Sequence, residues 1–192
     1  MMRELAVRTR STRRFRQSER VGLGTLRSLI DIGRITASGA NLQPLRYALV
    51  TGEGACAEVF PSLKWAGYLT DWGGPGEGER PPAYIVMLSD GPLKPHSSYD
   101  PGIAAQTIAL AAAEMGLACC MLGAIDRDGI RSALGIPARF EIMLVIAVGR
   151  PAESIVLEPV GEDGDIRYWR DGAGVHHVPK RALDDVIVLE VG

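Results

Sequence analysis

Four arginines crowd the stretch "RTRSTRRF", residues 8–15, among hydroxyl side chains. Arg10, Ser11 and Arg13 are spaced to converge on one phosphate, because a guanidinium fork matches phosphate oxygens and a hydroxyl adds a further donor. The competing reading is a solvated basic arm. Near the other end, "PKRALDD" (179–185) offers Lys180 and Arg181. Exposed charge before a strand is the default there, but joined to the N-terminal arginines the pair would complete a dianion site. One cation about 4 Å from a phosphate charge is worth on the order of 4 kcal/mol at an effective dielectric near 20, before desolvation, so two or three suffice to hold a phosphate. A third cluster, "SGANLQP", gathers Ser38, Gly39, Asn41 and Gln43 into a short polar connection. Such residues suit any turn, and what they do depends on what else the chain brings to them.

Other chemistries have weaker support. "GEGACA", residues 52–57, follows a strand and fits the GxGxxA pattern of a dinucleotide turn. However, Glu53 would set a carboxylate beside a pyrophosphate, and the strand does not open a βαβ unit. The Gly-rich stretch 73–78 contains Pro75 and Glu77 and lacks the Gly-Lys-Ser/Thr ending of a phosphate loop. His96, His176 and His177 show no metal-ligand spacing, so no metal is expected. On a strand, His176 and His177 would point to opposite faces. No GxSxG elbow is present.

These residues must be positioned by the elements between them. The apolar spacing predicts a helix over 23–37, a strand over 47–51, a helix near 54–66 and a loop over 70–82. An apolar strand follows over 83–90. Residues 100–116 read as a helix that is apolar nearly all round, with Asp100 as N-cap, Pro101 in the first turn and Gly116 as stop; it belongs in the core or in a subunit interface. Then come "LACCML" (117–122), a capped helix from Asp126 to Leu134, a strand over 141–149, a hairpin within 166–178 and a terminal strand, "VIVLEVG". Helices and strands do not alternate strictly, which favours an α+β layer over a doubly wound parallel sheet.

The 192 residues, 46% hydrophobic, suit one domain. With 21 basic against 23 acidic side chains the net charge is -2, so no nucleic-acid or membrane partner is expected. Cys56, Cys119 and Cys120 read as buried, reduced thiols. With no apolar leader or span, the chain reads as cytoplasmic.

Taken in order, "RSTRRF", "ASGANLQP", "GLACCMLG" and "PKRALDD" resemble the nitroreductase family of FMN-dependent oxidoreductases through nearly the whole chain. The resemblance implies an α+β fold with a mostly antiparallel sheet flanked by helices, a single domain over 1–192, and an intertwined homodimer in which 151–192 extends over the partner subunit. It implies FMN phosphate and ribityl contacts from Arg10, Ser11 and Arg13, joined by Lys180 or Arg181. Ser38, Gly39, Asn41 and Gln43 match the loop that lies on the flavin from the second subunit, where small residues would let backbone approach a flat ring. Cys120, Met121, Leu122 and Gly123 match the turn on the other flavin face, with the Gly123 backbone N–H as a donor to flavin N5. The implied activity is ping-pong transfer from NAD(P)H to an electron-poor acceptor such as a nitroaromatic or quinone, with no catalytic side chain. Leu45 replaces the family's usual aromatic, and only Arg80 stands near where longer members place a lysine before the second strand. A flavin-fragmenting or dehalogenating enzyme, a flavin storage or sensing protein, and a dimeric module gripping an acidic partner remain as alternatives. Trp65, Tyr68 and Trp72 either line a lid or pack as ordinary aromatics.

Overall fold

The computed structural model describes residues 2–192. The helices are α1 (Met2–Arg8), α2 (Leu23–Gly33), α3 (Glu53–Val59), α4 (Asp100–Glu114), α5 (Arg127–Leu134) and α6 (Leu183–Val186). The strands are β1 (Leu45–Thr51), β2 (Ala83–Asp90), β3 (Ala118–Leu122), β4 (Phe140–Gly149), β5 (Ile155–Pro159), β6 (Trp169–Arg170) and β7 (His176–Lys180). The main sheet runs β1-β2-β4-β3 with every pairing antiparallel, and a smaller sheet runs β5-β7-β6 with β5 and β7 parallel.

The unbroken apolar run of β2 reflects a strand covered on both faces. Tyr84, Val86 and Leu88 enter one core with Cys56 and Val59 of α3 and Ile130 of α5. Ala83, Ile85 and Met87 enter the other, with Leu26 and Leu29 of α2 and Ala104, Ala105 and Ile108 of α4. The alanines of α4 admit close approach, and Gly33 of α2 completes the fit: a Cβ there would stand 2.8 Å from Ile108 Cγ1. α4 is not buried all round, since Ile103, Gln106 and Glu114 are exposed.

Several boundaries differ from the sequence expectation. The helix expected over 23–37 ends at Gly33, where the Thr36 hydroxyl donates to the Gly33 carbonyl at 2.8 Å and closes the turn. The helix expected over 54–66 stops at Val59, because Pro61 has no N–H to continue the ladder. Residues 118–122 form a strand that runs to Leu122, not a turn beginning at Cys120. Asp100 is the first helical residue and not the N-cap, its carboxylate being engaged elsewhere. Asp126 does cap α5, accepting from the Gly129 N–H at 3.1 Å. The expected terminal strand is absent: residues 187–192 pair with no strand, and Val188, Leu189 and Val191 are 97%, 77% and 85% exposed. A strand needs a neighbour to satisfy its ladder, and this one meets none within the chain.

Candidate functional site

The arginine-rich segment is no solvated arm. Thr12 N–H donates to the Cys119 carbonyl at 3.0 Å, Ser11 bridges Cys119, and Phe15 is fully buried. This pins Ser11 and Thr12 to the edge strand β3, and with Phe15 bridged to Pro151 it fixes where the neighbouring arginines point. Arg10, Ser11 and Arg13 line a cavity of about 350 Å³ together with Met121 and, from β7, Lys180. No acidic side chain lines it among the described residues. The Glu153 carboxylate, on a side chain that is 1% exposed, already accepts from Arg170 at 2.9 Å and from the backbone N–H groups of Arg13 and Arg14. The cavity therefore carries uncompensated positive charge.

Arg10 Nη2 donates to the Ala6 carbonyl at 2.5 Å, but its Nε is buried with no partner among the described residues. Burial pulls this guanidinium below its ordinary pKa, as befits a desolvated cation lacking a nearby anion. Arg13 lies over the Tyr168 ring at 4.5 Å, its Nη1 3.1 Å from His176 Nε2. Burial first, then the Arg13 charge, push the His176 pKa down to about 4. At neutral pH the imidazole is uncharged, accepts from Arg13 and fixes its direction. A donor-rich, positively charged cavity with an orphaned guanidinium nitrogen fits the phosphate of FMN.

Arg181 does not line this cavity and is exposed, since it follows the end of β7. Along β3 the side chains alternate: Cys119 and Met121 face the cavity, whereas Cys120 and Leu122 enter the core on the opposite side of the sheet. Burial pushes the Cys120 thiol up to about 11 and Cys119 up to about 12, so neither is a thiolate nucleophile. Gly123 opens onto free space, with nothing within 4 Å of where a Cβ would stand.

The loop at 38–43 lies elsewhere in the chain. It borders a separate pocket of about 180 Å³, lined by Ser38, Gln43 and Asp100 among others, which shares no residue with the cation cavity. Its order comes from Asp100, 3% exposed, which accepts from the Ser38 hydroxyl at 2.6 Å and the Gly39 N–H at 3.0 Å. Ser38 Oγ in turn accepts from the Gln43 N–H at 2.9 Å. These bonds hold Ala40, Asn41 and Gln43 at φ of 50°, 55° and 48°, a left-handed conformation that is costly for residues other than glycine. Gly39 is small for an internal reason: a Cβ there would lie 1.4 Å from the His96 carbonyl oxygen.

Sequence reasoning missed Gln106 of α4, Tyr168 just before β6 and His176 of β7, all of which line the cation cavity. The alternation of His176 and His177 along a strand was the one available signal. Trp65 is buried and Trp72 packs against its core, so packing is their role; Trp72 also receives the Arg14 and Arg170 guanidinium groups at 5.8 and 4.7 Å. Tyr68, 52% exposed, pairs with Tyr168 at 4.9 Å. Among the described residues no helix is long and apolar enough to cross a membrane.

A model of the nitroreductase family matches residues 78–150. A nitroreductase family protein from Streptococcus pneumoniae TIGR4 superposes with a TM-score of 0.70 at 17% identity, covering 99% of this chain and 100% of that one. An FMN and NADPH-dependent nitroreductase from Sphigopyxis sp. strain HMH gives 0.69 at 20% identity, covering 100% of both. A nitroreductase family protein from Clostridium difficile 630 gives 0.61 at 22% identity, covering 78% of this chain and 84% of that one. The chain thus resembles the nitroreductase family in sequence over residues 78–150 and shares the fold of its proteins over its whole length.

Proposed function

We propose that the protein is an FMN-dependent oxidoreductase of the nitroreductase family, working as a homodimer that takes electrons from NAD(P)H and passes them to an electron-poor acceptor. The observation that carries this reading is the cavity lined by Arg10, Arg13 and Lys180 with no acid facing it. Those cations hold the FMN phosphate, and Ser11 adds a hydroxyl donor. His176, uncharged, keeps the Arg13 guanidinium turned into the cavity. Bound FMN supplies a two-electron carrier, and the protein binds and orients it. No side-chain acid or base is required, and the raised pKa of Cys119 and Cys120 keeps both thiols out of the chemistry.

Two features of the single chain support the two-chain arrangement. The loop at 38–43 is ordered by Asp100 but lies apart from the cations, so a second copy would bring it to the flavin. Residues 187–192 are an apolar, strand-like tail without a partner in its own chain; this tail would then extend over the neighbouring subunit, whereas Pro151, His176 and Lys180 of the expected 151–192 extension lie on their own chain, against Phe15 and in the cavity with Arg13. The test is spectroscopic. Purified protein saturated with FMN is mixed with NADH or NADPH without oxygen, and a nitroaromatic or a quinone is then added. Bleaching of the visible flavin bands followed by steady turnover is expected. A protein that binds FMN and does not turn over is a storage or sensing protein, and one that ignores FMN is not a flavoprotein.

A further inference from the structure

A cleft of about 730 Å³ is lined by none of the residues of the cation cavity. It lies between the loop after Phe15, the start of α3 and the segment that leads into β2, with Val21, Ala57, Phe60 and Pro82 among its apolar lining. Its volume is in the range of small-molecule sites.

The polar groups of this cleft fall into two kinds. The charges cancel in pairs: Arg80 Nη1 stands 3.1 Å from Glu77 and Arg20 stands 3.8 Å from Glu53. Gln17 is also spent, accepting from the Gly78 and Arg80 N–H groups at 2.9 and 3.1 Å and donating to Glu77 at 2.6 Å. The Cys56 thiol donates to the Pro82 carbonyl at 3.4 Å, and burial pushes its pKa up to about 11. Two buried groups remain unspent. The Tyr84 hydroxyl belongs to a fully buried side chain, and Arg80 Nε is buried too; neither has a partner among the described residues. Burial first, then Cys56, raise the Tyr84 phenol well above its ordinary value while Arg80 works against them, so the phenol keeps its proton and donates. Buried donors are normally paired. An incoming acceptor oxygen supplies what this floor lacks, and the cancelled charges give no reason for that oxygen to be anionic.

We propose that this cleft is a second binding site, separate from the cation cavity, for an uncharged, mainly apolar small molecule whose carbonyl-type oxygen accepts a hydrogen bond from Tyr84. The site does not depend on the flavin reading, because the two cavities share no lining residue.

The probe is coumarin, a flat apolar lactone, titrated calorimetrically into the full-length protein with and without saturating FMN. Saturable binding is expected in both cases. Tyr84→Phe, which removes only the hydroxyl, weakens binding about fivefold to tenfold, the effect of losing one neutral hydrogen bond. Ala57→Phe, which fills the cleft, abolishes it. Both variants keep the native FMN affinity, and coumarin-3-carboxylate binds more weakly than coumarin. The proposal is overturned by no coumarin binding, by displacement with FMN, by native affinity in Tyr84→Phe or Ala57→Phe, or by tighter binding of the carboxylate. Should the protein fail to bind FMN, the flavin reading fails and the FMN-free titration still decides the cleft.

Discussion

The two clefts hold comparable numbers of cations and differ in where the carboxylates stand. Arg10, Arg13 and Lys180 face the smaller cavity with no acid among its lining residues, whereas Arg20 and Arg80 line the larger one beside Glu53 and Glu77. Glu153, the acid that would neutralise the smaller cavity, is buried behind it and committed to Arg170 and two backbone N–H groups. The charge a site selects is therefore set by pairing, not by counting basic residues. One cavity is built for an anion, the other for a neutral molecule that meets a donor.

The largest expected effect breaks the arrangement from outside both clefts. Asp100→Ala leaves the Ser38 hydroxyl and the Gly39 N–H without their buried acceptor and lowers unfolding stability by about 3 kcal/mol, read from denaturant midpoints. FMN affinity falls with it if the loop serves the flavin, while coumarin binding to the folded protein stays native. Arg13→Ala comes next: losing a charged donor to the phosphate costs roughly 1.5–3 kcal/mol, or about tenfold to a hundredfold in FMN Kd by fluorescence titration, with no change in the neutral cleft. A sharper contrast separates adjacent cations. Lys180→Ala weakens FMN about tenfold, whereas exposed Arg181→Ala stays within about twofold, as for a surface charge.

A further effect is a pH dependence that belongs to the cation cavity. His176 has a folded pKa of about 4 against an ordinary 6.5. Between those values the unfolded chain binds the proton and the folded one does not, so stability contributed above pH 6.5 is lost as the pH falls toward about 4. Urea melts across that window should show the loss in the native protein and a flatter profile in His176→Gln.

That Arg10, Ser11, Arg13 and Lys180 share one cavity was legible because the first three are neighbours in sequence and Lys180 is one of few cations near the far end. Strand β2 was legible to the residue, since a strand covered on both faces is an unbroken apolar run. What escaped was set by contacts distant in the chain. Gly39 is dictated by the His96 carbonyl and Ser38 by Asp100, neither of which the loop's own composition reveals. The same holds for Arg181, which shares composition with Lys180 but sits one residue beyond the strand that aims its neighbour. The tail at 187–192 has the pattern of a strand and lacks only an edge to pair with.

The most direct test of the central claim compares FMN with riboflavin, which differ by the phosphate alone, in parallel titrations of native protein and Arg13→Ala. The account predicts that native protein binds FMN at least about tenfold more tightly and that the gap narrows in the variant. Equal affinity for the two ligands in native protein would contradict it, because the uncompensated cations would then not be holding a phosphate.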